Sequence, residues 1–198
     1  EHPFEQIKLD FGHQGMAGTF VSIGASYDLA SYGRTHQTPG DVSLIATLPG
    51  WSIHVPGHAD EAGQLLQDAV TSNESAYVRL SVESNVTGRR VTDGRMVVVR
   101  RGSEGTAVVV AVGPKLDPTL EAVANLDVTV LYATTVRPFD HDTLRGVVGT
   151  DVILVEPYLE GTSAAEVSHA LVDTPHRLLS LGVKRKELRN YGSIADHN

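Results

Sequence analysis

Trp51-Ser52-Ile53-His54-Val55-Pro56-Gly57, the segment from Ala59 to Val70, and Ala76-Tyr77-Val78-Arg79-Leu80 together decide the fold. The first run alternates in character and is stopped by Pro56-Gly57, as a strand ending in a turn would be. In the second, Ala62, Leu65, Leu66, Ala69 and Val70 fall at i, i+3, i+4, i+7 and i+8, one continuous apolar helical face. Asp60 and Glu61 stand in its first turn, where the helix dipole favours carboxylates. The third run is another strand. A strand, a crossover helix and a strand predict parallel neighbours in one sheet.

Upstream, Phe4, Ile7 and Phe11 form a short helical stripe that ends in the glycine-rich Gly12 to Gly18 stretch, and Thr19 to Gly24 is a strand. Pro39, Asp41, Val42, Ile45 and Ala46 predict a helix with proline in its first turn, closed by Leu48-Pro49-Gly50. Between them lies Tyr32-Gly33-Arg34-Thr35-His36-Gln37-Thr38-Pro39, a loop with no period and an imidazole at its centre. Loops that follow strand ends are where α/β folds place reactive side chains.

Downstream, Glu83 to Arg95 is polar and turn-prone, with Asn85, Thr87, Gly88, Arg89, Arg90, Asp93 and Gly94. It reads as a linker at 85–95 between a unit at 1–84 and a unit at 96–198. Met96 to Arg100 is a short strand, turned by Gly102 to Gly105 into Thr106 to Val112, a β-branched run fit for burial on both faces. Asp117 is expected to cap a helix with Pro118 at its first position. Val128 to Tyr132 is a strand, and Asp140 caps a short helix through Leu144, Val147 and Val148. Asp151 to Val155 is a core strand, followed by a helix bearing Ala164, Val167, Leu171 and Val172. Arg177 to Leu181 is a last strand, and the tail from Lys184 is polar and expected to be marginally ordered.

Composition narrows the function. Of 198 residues, 41% are hydrophobic and 20% charged, an ordinary globular balance. A formal charge of -8 argues against a general nucleic-acid binder, and Lys184-Arg185-Lys186 reads as a solvated face. Neither a membrane-length apolar run nor a basic, apolar N-terminal signal pattern is present, which fits a cytoplasmic protein. Zero cysteines exclude disulfides, thiolate metal sites and a cysteine nucleophile. The chain opens Glu1-His2-Pro3-Phe4 with no methionine and reads as a piece of something longer.

Most candidate sites reduce to structure. His54 and His58 are four apart, but Pro56-Gly57 forbids the helix that would stack them on a metal. Asp140-His141-Asp142 is explained by helix capping. Gly12, Gly15 and Gly18 precede a strand, whereas a dinucleotide fingerprint follows one. Ser163 lacks the nucleophile-elbow pattern. Glu156, at a core strand end, is open to acid–base, partner-facing or capping roles. His36 stands apart: a neutral imidazole on such a loop can donate to or accept from a substrate hydroxyl or carbonyl near neutral pH.

Gly33-Arg34-Thr35-His36-Gln37 resembles the Gly-Pro-Thr-His-Gln motif of transketolases, and more loosely its counterparts in deoxyxylulose-phosphate synthases and the β subunits of 2-oxoacid dehydrogenases. The likeness continues through Leu48 to Pro56, Ala59-Asp60-Glu61-Ala62 and Phe4-Glu5-Gln6-Ile7. In the second half it runs through Val97 to Gly105, Ala111-Val112-Gly113, Val136 to Asp140, Val155-Glu156 and Gly182 to Ser193. The resemblance implies an α/β protein of two three-layer domains. A truncated parallel-sheet pyrimidine-binding domain over 1–84 would be followed by a smaller mixed-sheet transketolase C-terminal domain over 96–198.

It also implies a C-terminal section or small subunit of a thiamine-diphosphate enzyme that transfers a two-carbon ketol or aldehyde unit. In the family, the glutamate that activates the cofactor lies upstream of the Phe4 helix, and another domain binds the diphosphate with its divalent metal, Mg or Ca. No cofactor is therefore expected on this chain alone, and an upstream N-terminal subunit or segment is the expected partner, within a homo-oligomer. The alternative is a non-catalytic assembly module. His36 carries over as the catalytic and substrate-contacting position, with Arg34 and Tyr32 beside it as substrate-binding candidates. Three departures stand out. Tyr32 replaces an aspartate that reads a sugar hydroxyl and Arg34 replaces the proline, while Val82 and Gly24 fall where the family's phosphate-binding arginine and histidine stand. Losing the arginine removes a bidentate phosphate grip, so an ordinary phosphorylated ketose is not the expected substrate.

Overall fold

The computed structural model describes residues 2–91, 94–147, 149, 151–186 and 191–197. Glu1, Asp93 of the expected linker, Val148 of the helix expected after Asp140 and residues 187–190 of the tail lie outside these.

The decisive stretch folds as read: β2 (Ser52–His54), α3 (Ala59–Ser72) and β3 (Ala76–Arg79), with β2 and β3 parallel. Upstream come α1 (Phe4–Gln6), which continues as a π-helix over Ile7–His13, then β1 (Thr19–Ser22) and α2 (Asp41–Ile45). Pro39 lies before the N-cap Gly40 of α2, not within its first turn. Its carbonyl is spent instead on Leu159 N, at 2.9 Å.

The buried line of α3 is Glu61-Leu65-Ala69, rotated from the expected face, while Val70 is exposed. The carboxylate of Glu61 belongs to this buried line. It accepts from Gly57 N (2.8 Å), Arg89 N (2.9 Å) and Tyr132 Oη (2.7 Å), donors enough to hold a buried acid.

After 96 come β4 (Val97–Arg100), β5 (Val108–Val112), α4 (Leu116–Ala122), β6 (Thr129–Ala133), β7 (Thr135–Arg137), α5 (His141–Arg145), β8 (Asp151–Leu159), α6 (Ala164–Ala170) and β9 (Arg177–Val183). Five of these strands make one sheet, β4-β6-β5-β8-β9, parallel except for β4. β5 shows why its run is so apolar. Val108, Val110 and Val112 enter a core with Leu144, Val167 and Leu171, whereas Val109 and Ala111 pack towards Leu116 on the other face.

The other sheet is β1-β3-β2-β7, in which β7 is antiparallel to β2. The sequence reading left β7 unassigned, and it carries the second half of the chain into the first sheet. Trp51, Ile53 and Tyr77 share one buried cluster with Val110 and Leu154, so both sheets meet on a common core.

The expected linker is stitched down. Asn85 is 3% exposed and bonds to Gly57 O through its backbone and to Gly113 O through its side chain. Asp117 does not cap α4, whose N-cap is Lys115; its carboxylate accepts from Val86 N at 2.6 Å. The described tail is also attached. His197 stacks on Tyr27 with ring centroids 4.6 Å apart, and Ser193 and Asp196 form a capping box.

Candidate functional site

The loop bearing His36 leaves β1, runs through a short 3-10 turn at Ala30–Tyr32, and enters α2. Gly33 has φ +75°, a backbone conformation that favours glycine. His36 N donates to Gly33 O at 3.0 Å to close the turn, and Arg34 Nη1 reaches Gln37 O at 3.0 Å. The base of the loop is fixed by Thr38 N to Ser26 O (3.2 Å), Thr38 Oγ1 to Gly24 O (3.1 Å) and Leu159 N to Pro39 O. Gln37 is buried beneath it.

Tyr32, Arg34 and His36 are all exposed on this loop. The rings of Tyr32 and His36 lie 5.0 Å apart at 39°. His36 Nδ1 is 2.9 Å from Thr35 Oγ1, and its Nε2 meets no hydrogen-bonding partner among the described residues. If the threonine hydroxyl donates to Nδ1, Nε2 carries the proton and is a donor; if Nδ1 donates, Nε2 is an acceptor. Either way one ring nitrogen is turned to whatever docks on the loop. His36 does not line the neighbouring cleft, whose lining includes Ala25, Ser26, Tyr27 and Asp28.

That cleft, of about 570 Å³, is formed at the carboxyl ends of parallel strands from both sheets, where ligands of α/β folds bind. Ser26, Asp28 and Arg79 stand on one wall, Glu156, Pro157 and Lys184 on the other. Sequence reading missed Arg79, because an arginine within a short apolar strand gives no sign of its partner. Its Nε donates to Asp41 Oδ2 at 2.7 Å, its Nη2 to Ser26 Oγ at 2.7 Å, and its guanidinium lies 5.6 Å over the Tyr158 ring. Tyr77 Oη also donates to Asp41, at 2.7 Å, and burial, together with the neighbouring carboxylate, drives the phenol far above its ordinary range. Asp28 is held by Ala25 N, Val82 N and Ser81 Oγ.

The remaining candidates resolve into structural roles. Glu156 accepts from Ser163 N at the start of α6, the capping alternative, and burial raises its pKa. His54 spans Thr135 Oγ1 (3.0 Å) and Ser52 Oγ (3.1 Å), joining β7 to β2, and His58 caps α3. Asp140 caps α5 through Thr143 N, and His141 bonds to Glu166 at 2.9 Å. No three histidine or carboxylate groups are placed to hold a metal, and no helix is long and apolar enough to cross a membrane, among the described residues.

Comparison with known proteins now bears on this geometry. Residues 3–86 match the transketolase pyrimidine-binding domain. Over 203 residues the chain is 48% identical to an uncharacterized 33.6 kDa protein in the fasciation locus of Rhodococcoides fascians, covering all of this chain and 64% of that one. It is 31% identical to 1-deoxy-D-xylulose-5-phosphate synthase 2 of Geobacter sulfurreducens, over 87% of this chain and 30% of the synthase. The chain thus spans under two thirds of these relatives. Among solved structures, one described as a split gene transketolase, inactive beta4 tetramer, superposes with a TM-score of 0.82 over 99% of this chain and 66% of its own, at 19% identity. That likeness shows the fold, and the sequence matches show the lineage. Residues 3–86 match the transketolase pyrimidine-binding domain, and the chain as a whole is similar to a transketolase-like enzyme, 1-deoxy-D-xylulose-5-phosphate synthase 2.

Proposed function

We propose that the chain is the C-terminal section, or small subunit, of a transketolase-like thiamine-diphosphate enzyme that transfers a two-carbon ketol or aldehyde unit and turns over only with its upstream segments. The observation that carries this reading is the exposed His36 ring on a braced loop, its Nε2 without a partner among the described residues. A side chain so held is preorganised for something outside the chain. Tyr32 and Arg34 flank it as substrate contacts. The domain partition at 85–95 belongs to the same reading, as do a homo-oligomeric assembly and a cytoplasmic setting.

The cofactor is expected on the upstream polypeptide rather than on this chain. Among the described residues none form a three-ligand metal cluster, and Glu5 is exposed on α1. The diphosphate and metal would be held by upstream polypeptide. Val82 is exposed and Gly24 lacks a side chain, so neither can grip a sugar phosphate. Xylulose 5-phosphate should be a poor donor for the complete enzyme.

The test is reconstitution. The chain is mixed with a candidate N-terminal transketolase subunit, or extended to full length, and carbon transfer is assayed with His36→Ala in parallel. Activity that appears on mixing and falls about 100-fold or more in the variant supports the reading. Unchanged activity in His36→Ala refutes it. A second reading, a non-catalytic assembly module, is favoured by the description of the split-gene relative as an inactive beta4 tetramer. It predicts no gain in activity on mixing.

A further inference from the structure

The tail of the chain returns to the loop that carries His36. Residues 27–36 form a run of tight turns, each closed by a bond between residues three apart. Ala30 N donates to Tyr27 O (2.9 Å), Tyr32 N to Leu29 O (3.0 Å), Gly33 N to Ala30 O (3.0 Å) and His36 N to Gly33 O (3.0 Å). Bonds of this type have poor geometry and seldom sustain a long run by themselves. The imidazole at the end of the run is therefore only as fixed as whatever packs against the turns.

Two rings from the tail pack on the two ends of that run. A methyl group built at Gly33 would stand 2.9 Å from both Cδ1 and Cζ of Tyr191, so the phenol ring is seated on the glycine whose carbonyl holds His36 N. Gly33 is buried although Tyr32 and Arg34 on either side of it are exposed. At the other end His197 stacks on the buried Tyr27 ring, the two planes only 13° apart. Between the two rings, Ile194–Asp196 is a 3-10 turn closed by the Ser193 and Asp196 capping box, which fixes their spacing. Tyr191 itself stays 70% exposed and stands outside both apolar clusters of the core. What it touches is the loop.

We propose that residues 191–197 are a strap whose two rings set the pose of the His36 loop, which makes Tyr191 and His197 positioning residues for the imidazole. This deepens the proposed function and rests on it for the role of His36. Amide exchange measures the strap without turnover, whereas His36→Ala in the assembled enzyme measures the imidazole, so the two can fail separately.

Hydrogen exchange of the full chain is followed by mass spectrometry over peptides covering residues 27–38, with thermal melts alongside. Tyr191→Ala and His197→Ala should each speed exchange in those peptides about tenfold, while the thermal midpoint and the exchange of β5 and β8 stay at the parent values. Tyr191→Phe and His197→Phe, which keep a ring at each end, should exchange as the parent does. In the assembled enzyme Tyr191→Ala should lower kcat about tenfold with a smaller change in KM, and Tyr191→Phe should keep the parent kcat. Unaltered exchange over 27–38 in either alanine variant, faster exchange spread across the whole chain, a phenylalanine variant that behaves like the alanine one, or a faster loop with kcat untouched overturns the proposal.

Discussion

Replacing Arg79 with methionine isolates the energetics of the cleft floor. The substitution keeps an unbranched apolar stem but removes the donors to Asp41 and Ser26, each at 2.7 Å, and the cation over Tyr158. Asp41, with a side chain only 10% exposed, is left with Tyr77 as its remaining named donor. Breaking a buried pair by removing one partner costs about 3–5 kcal/mol, because the other charge stays behind. At about 2–4 °C per kcal/mol for a chain of this size, the thermal midpoint should fall by roughly 6–20 °C. Circular dichroism melts and urea titrations at pH 7 give both numbers. The double variant Arg79→Met/Asp41→Asn removes the stranded charge and should recover about 2 kcal/mol relative to the sum of the single variants. A loss under about 1 kcal/mol in Arg79→Met, or strict additivity in the double variant, would show that the pair does not hold the floor together.

Three further outcomes follow from the same packing. Burial raises the Glu156 carboxyl, so the native state holds a proton that the unfolded chain has released, and stability declines as pH rises from 4.5 through the folded value; Glu156→Gln should flatten that slope in urea titrations across pH 4 to 8, and an unchanged slope contradicts the assignment. His54 is the opposite case: burial lowers its pKa, the unfolded chain takes up the proton first, and stability is lost as pH falls below 6.5. His54→Asn should remove that acid-side loss, read from melts between pH 7 and 5. Gly57→Ala would set a methyl group 2.5 Å from Gly113 O and Tyr132 Oη, forcing apart the junction that also holds Glu61; about 1–3 kcal/mol of destabilisation is expected, and a neutral result would show that the junction yields freely.

What the sequence disclosed was periodic. The i, i+4 spacing of α3, the unbroken valines of β5 and the Asp140 cap are local signals, and each leads to the element observed. The His36 loop was legible as a motif, and its exposure and bracing agree with a presented side chain. The rest was hidden because it depends on pairs distant in sequence. Asp117 has the chemistry of a helix cap, yet Val86 N is the donor it meets. Glu61 looked like a dipole-favoured surface acid until Tyr132, 71 residues away, supplied a hydroxyl. The polar character of 85–91 signalled a linker, but Asn85 uses that polarity to bind backbone groups of both halves. Arg34 and Lys184 to Lys186 are separately ordinary and become a cluster only through the fold.

The excursion of Thr135–Arg137 into the N-terminal sheet has a practical corollary. Expressing residues 1–84 by themselves would strip β2 of its outer neighbour and bare a row of amide and carbonyl groups, the kind of seam along which polypeptides clump. Anyone dissecting this molecule at the polar stretch would need to keep Thr135–Arg137 with the N-terminal sheet, since that strand pairs with β2.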